Sequence, residues 1–212
     1  MGPSLDIQIT PVSISDHHHI VSLQSDIWGA DNQMPVSLFS IANLIGGVAL
    51  GAYDNGQLVG FILSLPAVWE GEMSQWSCRL AVANKVQNQG IGSALKAAQK
   101  EALISMGIDS LLWSYNPHDA KNAHLNLNKL GATIVGFKEG MYPVEPGERA
   151  IVKWELNHPK PRIISDVVRL PVQQNDSKKL SEKITALLAN GYVGVAIEMD
   201  GNDAYYQFEK HD

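Results

Sequence analysis

Residues 80–95 have the sequence Leu-Ala-Val-Ala-Asn-Lys-Val-Gln-Asn-Gln-Gly-Ile-Gly-Ser-Ala-Leu, and the rest of the chain is arranged around them. An apolar run of strand-forming residues meets a polar loop with two glycines, Gly90 and Gly92, and a helical apolar pattern follows directly. This order predicts a strand, a loop and a helix. Because the first N–H groups of a helix lack internal partners and the helix dipole adds positive potential there, the loop is predicted to bind an anion.

The composition excludes several classes of protein. The chain has 212 residues, 45% of them hydrophobic, and a formal net charge of −6. A nucleic-acid surface needs a basic excess, so we expect no nucleic-acid partner, and scattered lysines and arginines argue against a basic membrane patch. The single cysteine, Cys78, fits a reducing compartment, and no apolar run is long enough to span a membrane. We expect a cytoplasmic protein with no membrane partner.

Apolar periodicity and turn residues predict the order strand, helix, three strands, helix, strand, helix, strand, strand up to residue 157. Asn55-Gly56 between two apolar runs predicts a hairpin, and Pro66 is expected to end its second strand. Residues 119–130 are expected to form one helix. Early hairpins and later helix crossovers predict an α/β (α+β) fold with a mixed, mainly antiparallel sheet flanked by helices.

A run of three histidines, His17-His18-His19, invites a metal-site interpretation. Consecutive residues of a helix point in different directions, so the three rings cannot reach one ion. We therefore predict no metal site.

Two stretches carry a resemblance to a known family. The loop has the pattern Gln87-x-x-Gly90-x-Gly92 after a strand. Later come Trp113-Ser114-Tyr115-Asn116-Pro117 and Asn122-Ala123-His124-Leu125-Asn126-Leu127-Asn128-Lys129-Leu130-Gly131-Ala132. These motifs, with the closing stretch from Glu148 to Leu156, resemble those of the GCN5-related N-acetyltransferase (GNAT) superfamily. The similarity is greatest to a poorly characterised branch of predicted acetyltransferases.

The resemblance implies an acyl-CoA N-acyltransferase fold with acetyl-CoA, or another acyl-CoA, as co-substrate. The pantetheine arm would lie in a cleft where two strands splay apart, and would pair with the backbone of Leu80, Ala81 and Val82. Asn122 would approach the pantetheine or the phosphates. The pyrophosphate would bind the backbone amides of Gln87, Asn88, Gln89, Gly90, Ile91, Gly92 and Ser93.

Two loop positions depart from the usual motif of the superfamily. Gln87 stands where arginine is usual, which removes a positive charge from the site. Asn88 stands where the first glycine is usual, and asparagine also adopts left-handed backbone conformations. We therefore expect a modest affinity for coenzyme A.

The residues for proton transfer are less clearly marked. Many relatives place a tyrosine acid on the last helix, where this chain has Leu127. Asn126, which shares a helix face with Asn122, and Tyr115 at a strand end are the candidate catalytic residues. A packing role for Asn126 and simple burial for Tyr115 remain open alternatives. Backbone N–H groups near Val82 would stabilise the oxyanion.

The general base is even less defined. Glu70 and Glu72, at a turn between two strands, are candidates for it, and the alternative is that both are solvated turn residues. The related branch has a histidine where this chain has Cys78, which is either a small buried residue or a nucleophile. Arg79 could face an anionic group.

A composition shift predicts two domains. His158-Pro159-Lys160-Pro161 is a linker-like break. Residues 1–157 would form the acyl-CoA-binding domain. Residues 158–212 would form an extension with an extended segment, a helix from Asp176 or Ser177 to Leu188, and a strand pair turning at Asp200-Gly201-Asn202. This extension is expected to pack on the domain or to form a homodimer interface.

Two functions follow from the resemblance. One is an acyltransferase that moves an acetyl or larger acyl group to the amine of a small molecule or amino acid by direct attack. The alternative is a coenzyme A-binding protein without efficient catalysis, because Leu127 and Cys78 replace expected polar groups.

Overall fold

The structure of the protein, a computed structural model, describes residues 6–141, 147–157, 167–172 and 177–211, with only the backbone of residues 177 and 178. The chain forms two compact units, residues 1–109 and residues 110–212. No helix among the described residues is long and apolar enough to cross a membrane.

The first unit is an antiparallel sheet of four consecutive strands with helices on both faces. Each strand pairs with the next one along the chain: β1 (Ile7–Pro11), β2 (Val48–Asp54), β3 (Gln57–Trp69) and β4 (Glu72–Val82). The helices are α1 (His17–Trp28), α2 (Ser37–Ala42) and α3 (Ile91–Ser105). Single 3₁₀ turns lie at Ile14–Asp16, Ala30–Asn32 and Asn84–Val86.

Successive residues of β3 pack against different helices. Phe61 belongs to a buried cluster with Ile20 of α1 and Phe39 of α2. Ile62 belongs to a second cluster with Leu95 of α3. Because neighbouring side chains of a strand point to opposite faces, α1 and α2 cover one face of this sheet and α3 covers the other.

The predicted hairpin between β2 and β3 is confirmed, but its second strand is longer than expected. Asn55 and Gly56 have φ angles of 48° and 78°, as a two-residue hairpin turn requires. The expectation that Pro66 ends the strand is wrong, because β3 continues to Trp69. Pairing with β2 stops at Ser64, so β3 is paired only with β4 at Pro66 within this unit, and a missing N–H is tolerated there.

The described residues of the second unit form a sheet of six strands, and all described pairs are antiparallel. The strands are β5 (Ser110–Tyr115), β6 (Thr133–Lys138), β7 (Arg149–Glu155), β8 (Val168–Pro171), β9 (Tyr192–Asp200) and β10 (Asp203–Lys210). Their order across the sheet is β5-β7-β6-β9-β10-β8. The helices are α4 (Ala120–Ala123) and α5 (Ser177–Ala189), with a π-helix at His124–Lys129.

The helix predicted over residues 119–130 is not a single α-helix. The Asp119 side chain caps its start by accepting from the Asn122 N–H at 2.9 Å. After one α-helical turn the chain widens into the π-helix, where the N–H of Leu130 donates to the carbonyl of Leu125 at 3.0 Å. The widening rotates the later residues, so that Leu125 is 44% exposed and Asn126 only 3%.

The described part of the C-terminal extension continues the second sheet. The predicted strand pair is confirmed, with Asp200 opposite Asp203 and Gly201 at φ 60° between them. Strand β9 meets β6 at Gly194, where a Cβ would lie 2.9 Å from the Cβ of Ile134. The linker-like residues 158–161, Asp176 and most of the extended segment lie outside the described residues. The domain boundary at residue 157 and the homodimer therefore stay predictions.

Candidate functional site

Strand β4 departs from its regular pairing with β3 at one point. Leu63 and Ser64 of β3 face Arg79 and Ser77 of β4, so Cys78 is the extra residue of a β-bulge. A bulge takes one residue out of the ladder and bends the strand. The pairing is regular again from Leu63 toward the end of β4.

Residues 80–82 close β4 and are held tightly by β3. Ala81 is buried, whereas Leu80 and Val82 are half-buried. A Cβ at Gly60 of β3 would come within 2.8 Å of the Ala81 carbonyl oxygen. The glycine therefore lets the two backbones approach closely at the segment predicted to pair with pantetheine.

Residues 83–90, called here the glycine loop, join β4 to α3. Asn88 and Gly90 have φ angles of 63° and 83°, both in the left-handed region. Asparagine is among the few side chains that enter this region readily, which explains how Asn88 replaces a glycine. Gln87, Asn88, Gln89 and Gly90 are all exposed. The loop is thus shaped by its backbone and open to solvent.

The start of α3 offers free backbone donors. Gly90 is the N-cap, and no side chain accepts from the first turn. The N–H of Ala94 makes the first helical bond, to the Gly90 carbonyl at 2.9 Å. The amides of Ile91, Gly92 and Ser93 therefore belong to the first turn, whose N–H groups the helix itself leaves without acceptors.

Gly92 is not required by the packing of the first unit. A Cβ at this position would meet the side chains of Leu80 and Val82 at 3.7 and 3.9 Å, which is ordinary contact distance. No positive φ is recorded at residue 92 either. A small residue here instead leaves room for a ligand to approach the backbone amide, as an anion cradle needs.

The side chain of Gln87 turns back onto the glycine loop. Its Nε2 donates to the Val82 carbonyl at 3.0 Å and to the Asn84 side-chain oxygen at 2.9 Å. The residue therefore stabilises the loop and adds no charge to it. This arrangement fits the expectation that anion binding here depends on backbone amides.

In the second unit, three polar side chains form what we call the Asn126 cluster: Trp113, Asn126 and Asn122. Trp113 donates from Nε1 to the Asn126 Oδ1 at 3.2 Å, and Asn126 donates from Nδ2 to the Asn122 Oδ1 at 3.2 Å. Asn126 is 3% exposed, whereas Asn122 is half-buried. The buried amide therefore orients Asn122, whose own NH₂ group has no hydrogen-bond partner recorded among the described residues. A catalytic role for Asn126 stays a prediction.

Tyr115 lies in a second buried chain of hydrogen bonds. Its hydroxyl donates to the Tyr206 hydroxyl at 3.2 Å, and Tyr206 donates to the Pro117 carbonyl at 2.6 Å. Burial and the neighbouring Tyr206 hydroxyl raise the pKa of Tyr115 well above its usual range. A phenol this reluctant to ionise is a weak proton donor, so the geometry gives Tyr115 a packing role, and its predicted catalytic role remains a prediction.

The side chains near the bulge are engaged within the first unit. Burial raises the pKa of the Cys78 thiol, which donates to the Trp76 carbonyl at 3.4 Å, so a nucleophilic thiolate is disfavoured. The Arg79 guanidinium lies 4.4 Å from the centre of the Trp28 ring and donates to the backbone and side-chain oxygens of Asn32, both at 3.1 Å. Arg79 thus anchors the segment after α1.

The candidate bases Glu70 and Glu72 lie at the turn between β3 and β4. Both are exposed, and Glu70 has a φ of 53° as part of a tight hairpin turn with Gly71. Leu127, at the position of the usual tyrosine acid, is fully buried. Glu70 and Glu72 are therefore solvated turn residues within the first unit, and the Leu127 side chain cannot donate a proton.

Sequence reasoning missed two groups of buried and half-buried polar residues. Lys96, Ser77 and Gln99 form a cluster between α3 and β4. Positions 92, 96, 99 and 103 share one face of a helix, a spacing that could have shown that Lys96 lies on the inner face of α3. In the second unit, His118 Nε2 lies 3.1 Å from Glu148 Oε2, a pair so distant in sequence that no local pattern indicates it.

A family model for the acetyltransferase (GNAT) domain matches residues 46–127. The matched range includes three strands of the first unit, the glycine loop, α3, β5 and the Asn126 cluster. No curated protein is significantly similar to the chain.

Solved structures share the fold over most of the chain. The ribosomal-protein-S18-alanine N-acetyltransferase of Escherichia coli has a TM-score of 0.60 and 16% identity, covering 75% of this chain and 99% of that one. Naa50 of Arabidopsis thaliana, in complex with the bisubstrate analogue CoA-Ac-MVNAL, has a TM-score of 0.59 and 18% identity, covering 70% and 98%. An aminoglycoside 6′-acetyltransferase type Ii has a TM-score of 0.57 and 18% identity, covering 73% and 99%. At these identities the likeness is one of fold.

Proposed function

Residues 46–127 of this chain form an acetyltransferase domain of the GNAT superfamily, and on that premise we propose that the protein is an N-acyltransferase. It moves an acetyl group, or a larger acyl group, from acyl-coenzyme A to the amine of a small molecule or amino acid. The amine attacks the thioester directly, so that no acyl-enzyme forms. We expect the reaction to take place in the cytoplasm.

The observation that carries this proposal is the geometry at the start of α3. Asn88 and Gly90 turn the glycine loop through left-handed conformations, and Gly92 leaves the first-turn amides uncovered. Backbone amides and the helix dipole together favour a pyrophosphate at this place. Coenzyme A fits because its pyrophosphate carries a pantetheine arm that can extend along residues 80–82.

The bulge at Cys78 supports a role for β4 in stabilising the oxyanion that forms during acyl transfer. A pantetheine arm that starts at the glycine loop and pairs with residues 80–82 runs toward Cys78, so the thioester carbonyl would arrive near the bulge. A residue outside the regular ladder can direct its N–H away from the neighbouring strand. Backbone N–H groups aimed at a developing oxyanion are an effective source of transition-state stabilisation.

The acceptor is proposed to be a small amine. The aminoglycoside 6′-acetyltransferase shows by its name that this fold serves small molecules, whereas the E. coli and Arabidopsis neighbours are named or crystallised with protein or peptide acceptors. No feature of the described residues indicates a surface for a large protein substrate. Short peptides therefore belong in the test beside small amines.

A second candidate function is a coenzyme A-binding protein without efficient catalysis. Leu127 is fully buried at the position of the usual acid, and the hydroxyl of Tyr115 is occupied by Tyr206. These observations favour binding without turnover unless another group protonates the leaving thiolate.

One experiment separates the two candidates. Thermal unfolding of the full chain is first measured with and without acetyl-CoA, because both candidates require stabilisation by the ligand. Release of free thiol is then followed with a panel of amino acids, aminoglycosides, polyamines and short peptides. Acceptor-dependent thiol release supports the acyltransferase. Stabilisation with no thiol release above background for any acceptor contradicts it and supports the binding protein.

A further inference from the structure

Lys96, a half-buried lysine of α3, lies against β4 close to the bulge. The Nζ of Lys96 donates to the Ser77 hydroxyl at 3.1 Å and to the Gln99 side-chain oxygen at 3.2 Å. Ser77 is 8% exposed and Gln99 is fully buried. The amine is thus held at a defined position by two polar side chains, one from each element.

The surroundings change the acidity of this amine. Burial lowers the pKa of Lys96 to about 7, because the ammonium form loses its hydration. An acid is most effective when its pKa lies near the pH at which it works. Lys96 therefore has both a protonated and a neutral form available near neutral pH, unlike an exposed lysine.

Lys96 lies near the part of β4 where the end of a bound pantetheine arm is expected. This step rests on the proposed function. Ser77, which contacts Lys96, is the residue directly before the bulge at Cys78. An arm that leaves the glycine loop and pairs with residues 80–82 carries its sulfur toward Ser77 and Cys78. The amine therefore contacts the part of β4 toward which the sulfur would extend.

We propose that Lys96 is the catalytic acid that protonates the thiolate of coenzyme A as it leaves. The acceptor amine attacks the thioester carbonyl, forms the new C–N bond and loses one proton to water. The C–S bond then breaks, and the sulfur takes a proton from the Lys96 ammonium. The neutral Lys96 amine regains a proton from solvent, so the overall reaction yields one amide and one free thiol.

This assignment explains how the chain could catalyse the reaction with Leu127 at the position of the usual tyrosine acid. The chain lacks the tyrosine acid on the last helix, and Tyr115 is a poor substitute because its pKa is raised. Lys96 belongs instead to α3, and it contacts Ser77 of β4 within the first unit. Lys96 would then serve as the acid in place of the usual tyrosine.

The test compares Lys96→Met, which keeps the length of the side chain and removes the amine, with Lys183→Met, an exposed lysine on α5. Affinity for acetyl-CoA is measured by calorimetry, and kcat by thiol release with the best acceptor. Lys96→Met is expected to lower kcat by roughly 100-fold or more and to change the acetyl-CoA affinity less than about threefold. Lys183→Met is expected to match the wild type in both.

A second measurement does not depend on turnover. The ultraviolet absorbance of thiolate is recorded for bound coenzyme A near pH 7, where part of the Lys96 amine is still protonated. A neighbouring cation favours the thiolate, so the wild-type complex is expected to show more of it than the Lys96→Met complex. Equal thiolate absorbance, or a kcat within about threefold of wild type, would overturn the role of Lys96 while leaving the acyltransferase intact. Failure of the wild type to bind coenzyme A would overturn the proposed function itself, and the role of Lys96 with it.

Discussion

The glycine loop of the first unit and the Asn126 cluster of the second hold their polar groups in opposite ways. The loop and the start of α3 present backbone amides, with exposed residues and left-handed turns at Asn88 and Gly90. The cluster instead joins buried side chains, with Trp113 and Asn126 bonded to each other. Backbone donors stay in place whatever the side chain, whereas buried side chains depend on their partners. Substitutions should therefore affect mainly ligand binding in the loop and mainly stability in the cluster.

The largest effect is expected for Gly92→Asp. The carboxylate would occupy the anion cradle and repel the pyrophosphate, lowering affinity for acetyl-CoA by roughly 100-fold or more. The same charge at a helix N-terminus interacts favourably with the dipole, so the free energy of unfolding should rise by about 0.3–1 kcal/mol. Calorimetric titration and denaturant unfolding measure the two effects.

Ser105→Asp is the matched control for this prediction. It places the same charge at the opposite, exposed end of α3. It should leave acetyl-CoA affinity unchanged and slightly lower stability. Similar acetyl-CoA affinities for Gly92→Asp and wild type would show that the glycine loop is not part of the binding site.

Lys96 is an exception within the first unit, because its half-buried side chain, and not its backbone, holds the polar group against β4. Between a folded pKa of about 7 and an ordinary value of 10.5, the unfolded chain binds a proton that the folded chain does not. Stability attributable to Lys96 should therefore rise with pH across this window, by about 1.4 kcal/mol for each pH unit. Lys96→Met should flatten the rise seen in denaturant unfolding, and Lys183→Met should preserve it. An identical pH dependence in all three proteins would contradict the burial of a titrating amine.

Asn126→Ala tests the second half of the comparison. It leaves the Trp113 indole N–H without its acceptor in a buried site and should reduce the free energy of unfolding by about 1–3 kcal/mol. Asn202→Ala, in an exposed turn, should change it by less than about 0.5 kcal/mol. A loss of acetyl-CoA affinity with unchanged stability would mean that Asn126 acts as a ligand-binding residue instead.

The two tyrosines of the second unit should differ in effect. Tyr206→Phe removes both the donor to Pro117 and the acceptor of Tyr115, and should cost about 1–3 kcal/mol of stability. Tyr115→Phe leaves the bond from Tyr206 to Pro117 in place and should cost about 0.5–1.5 kcal/mol. Denaturant unfolding checks the order, with Tyr205→Phe as a near-neutral control. The reverse order would show that Tyr115 has a stronger partner than Tyr206.

The smallest effect is expected for Gln87→Arg, which restores the charge usual in the superfamily. The position is exposed, so affinity for acetyl-CoA should rise only about two- to fivefold at low salt. Because exposed charges are screened, the gain should disappear at high ionic strength. Calorimetry at two salt concentrations measures it, and a gain that persists at high salt would indicate that the new side chain is buried against the ligand.

Local signals allowed much of the fold to be predicted from the sequence. The resemblance to the GNAT superfamily and the mainly antiparallel sheet are confirmed. The turn at Asn55-Gly56 and the left-handed Asn88 follow from the preferences of single residues. Such features depend on a few neighbours in the chain, so they can be predicted without knowledge of tertiary structure.

Features that depend on distant contacts could not be predicted. The continuation of β3 beyond Pro66 depends on where β2 ends, and the bulge at Cys78 depends on the register between two strands. The π-helix that buries Asn126 contacts β9, where the Ile197 N–H donates to the Asn128 side-chain oxygen, and these residues are far apart in sequence. The bond between Tyr115 and Tyr206 joins residues far apart in sequence. The sequence therefore indicated the loop more completely than the side chains that would carry the chemistry.

Hydrogen exchange at the amides of residues 89–93 tests the central claim most directly. The full chain is compared with and without saturating acetyl-CoA, and exchange is resolved by peptide. We predict that exchange slows at these amides, because the pyrophosphate accepts hydrogen bonds from them, and that Gly92→Asp abolishes the slowing. Unchanged exchange at residues 89–93 in a complex that calorimetry shows to be saturated would contradict the assignment of this loop as the coenzyme A site.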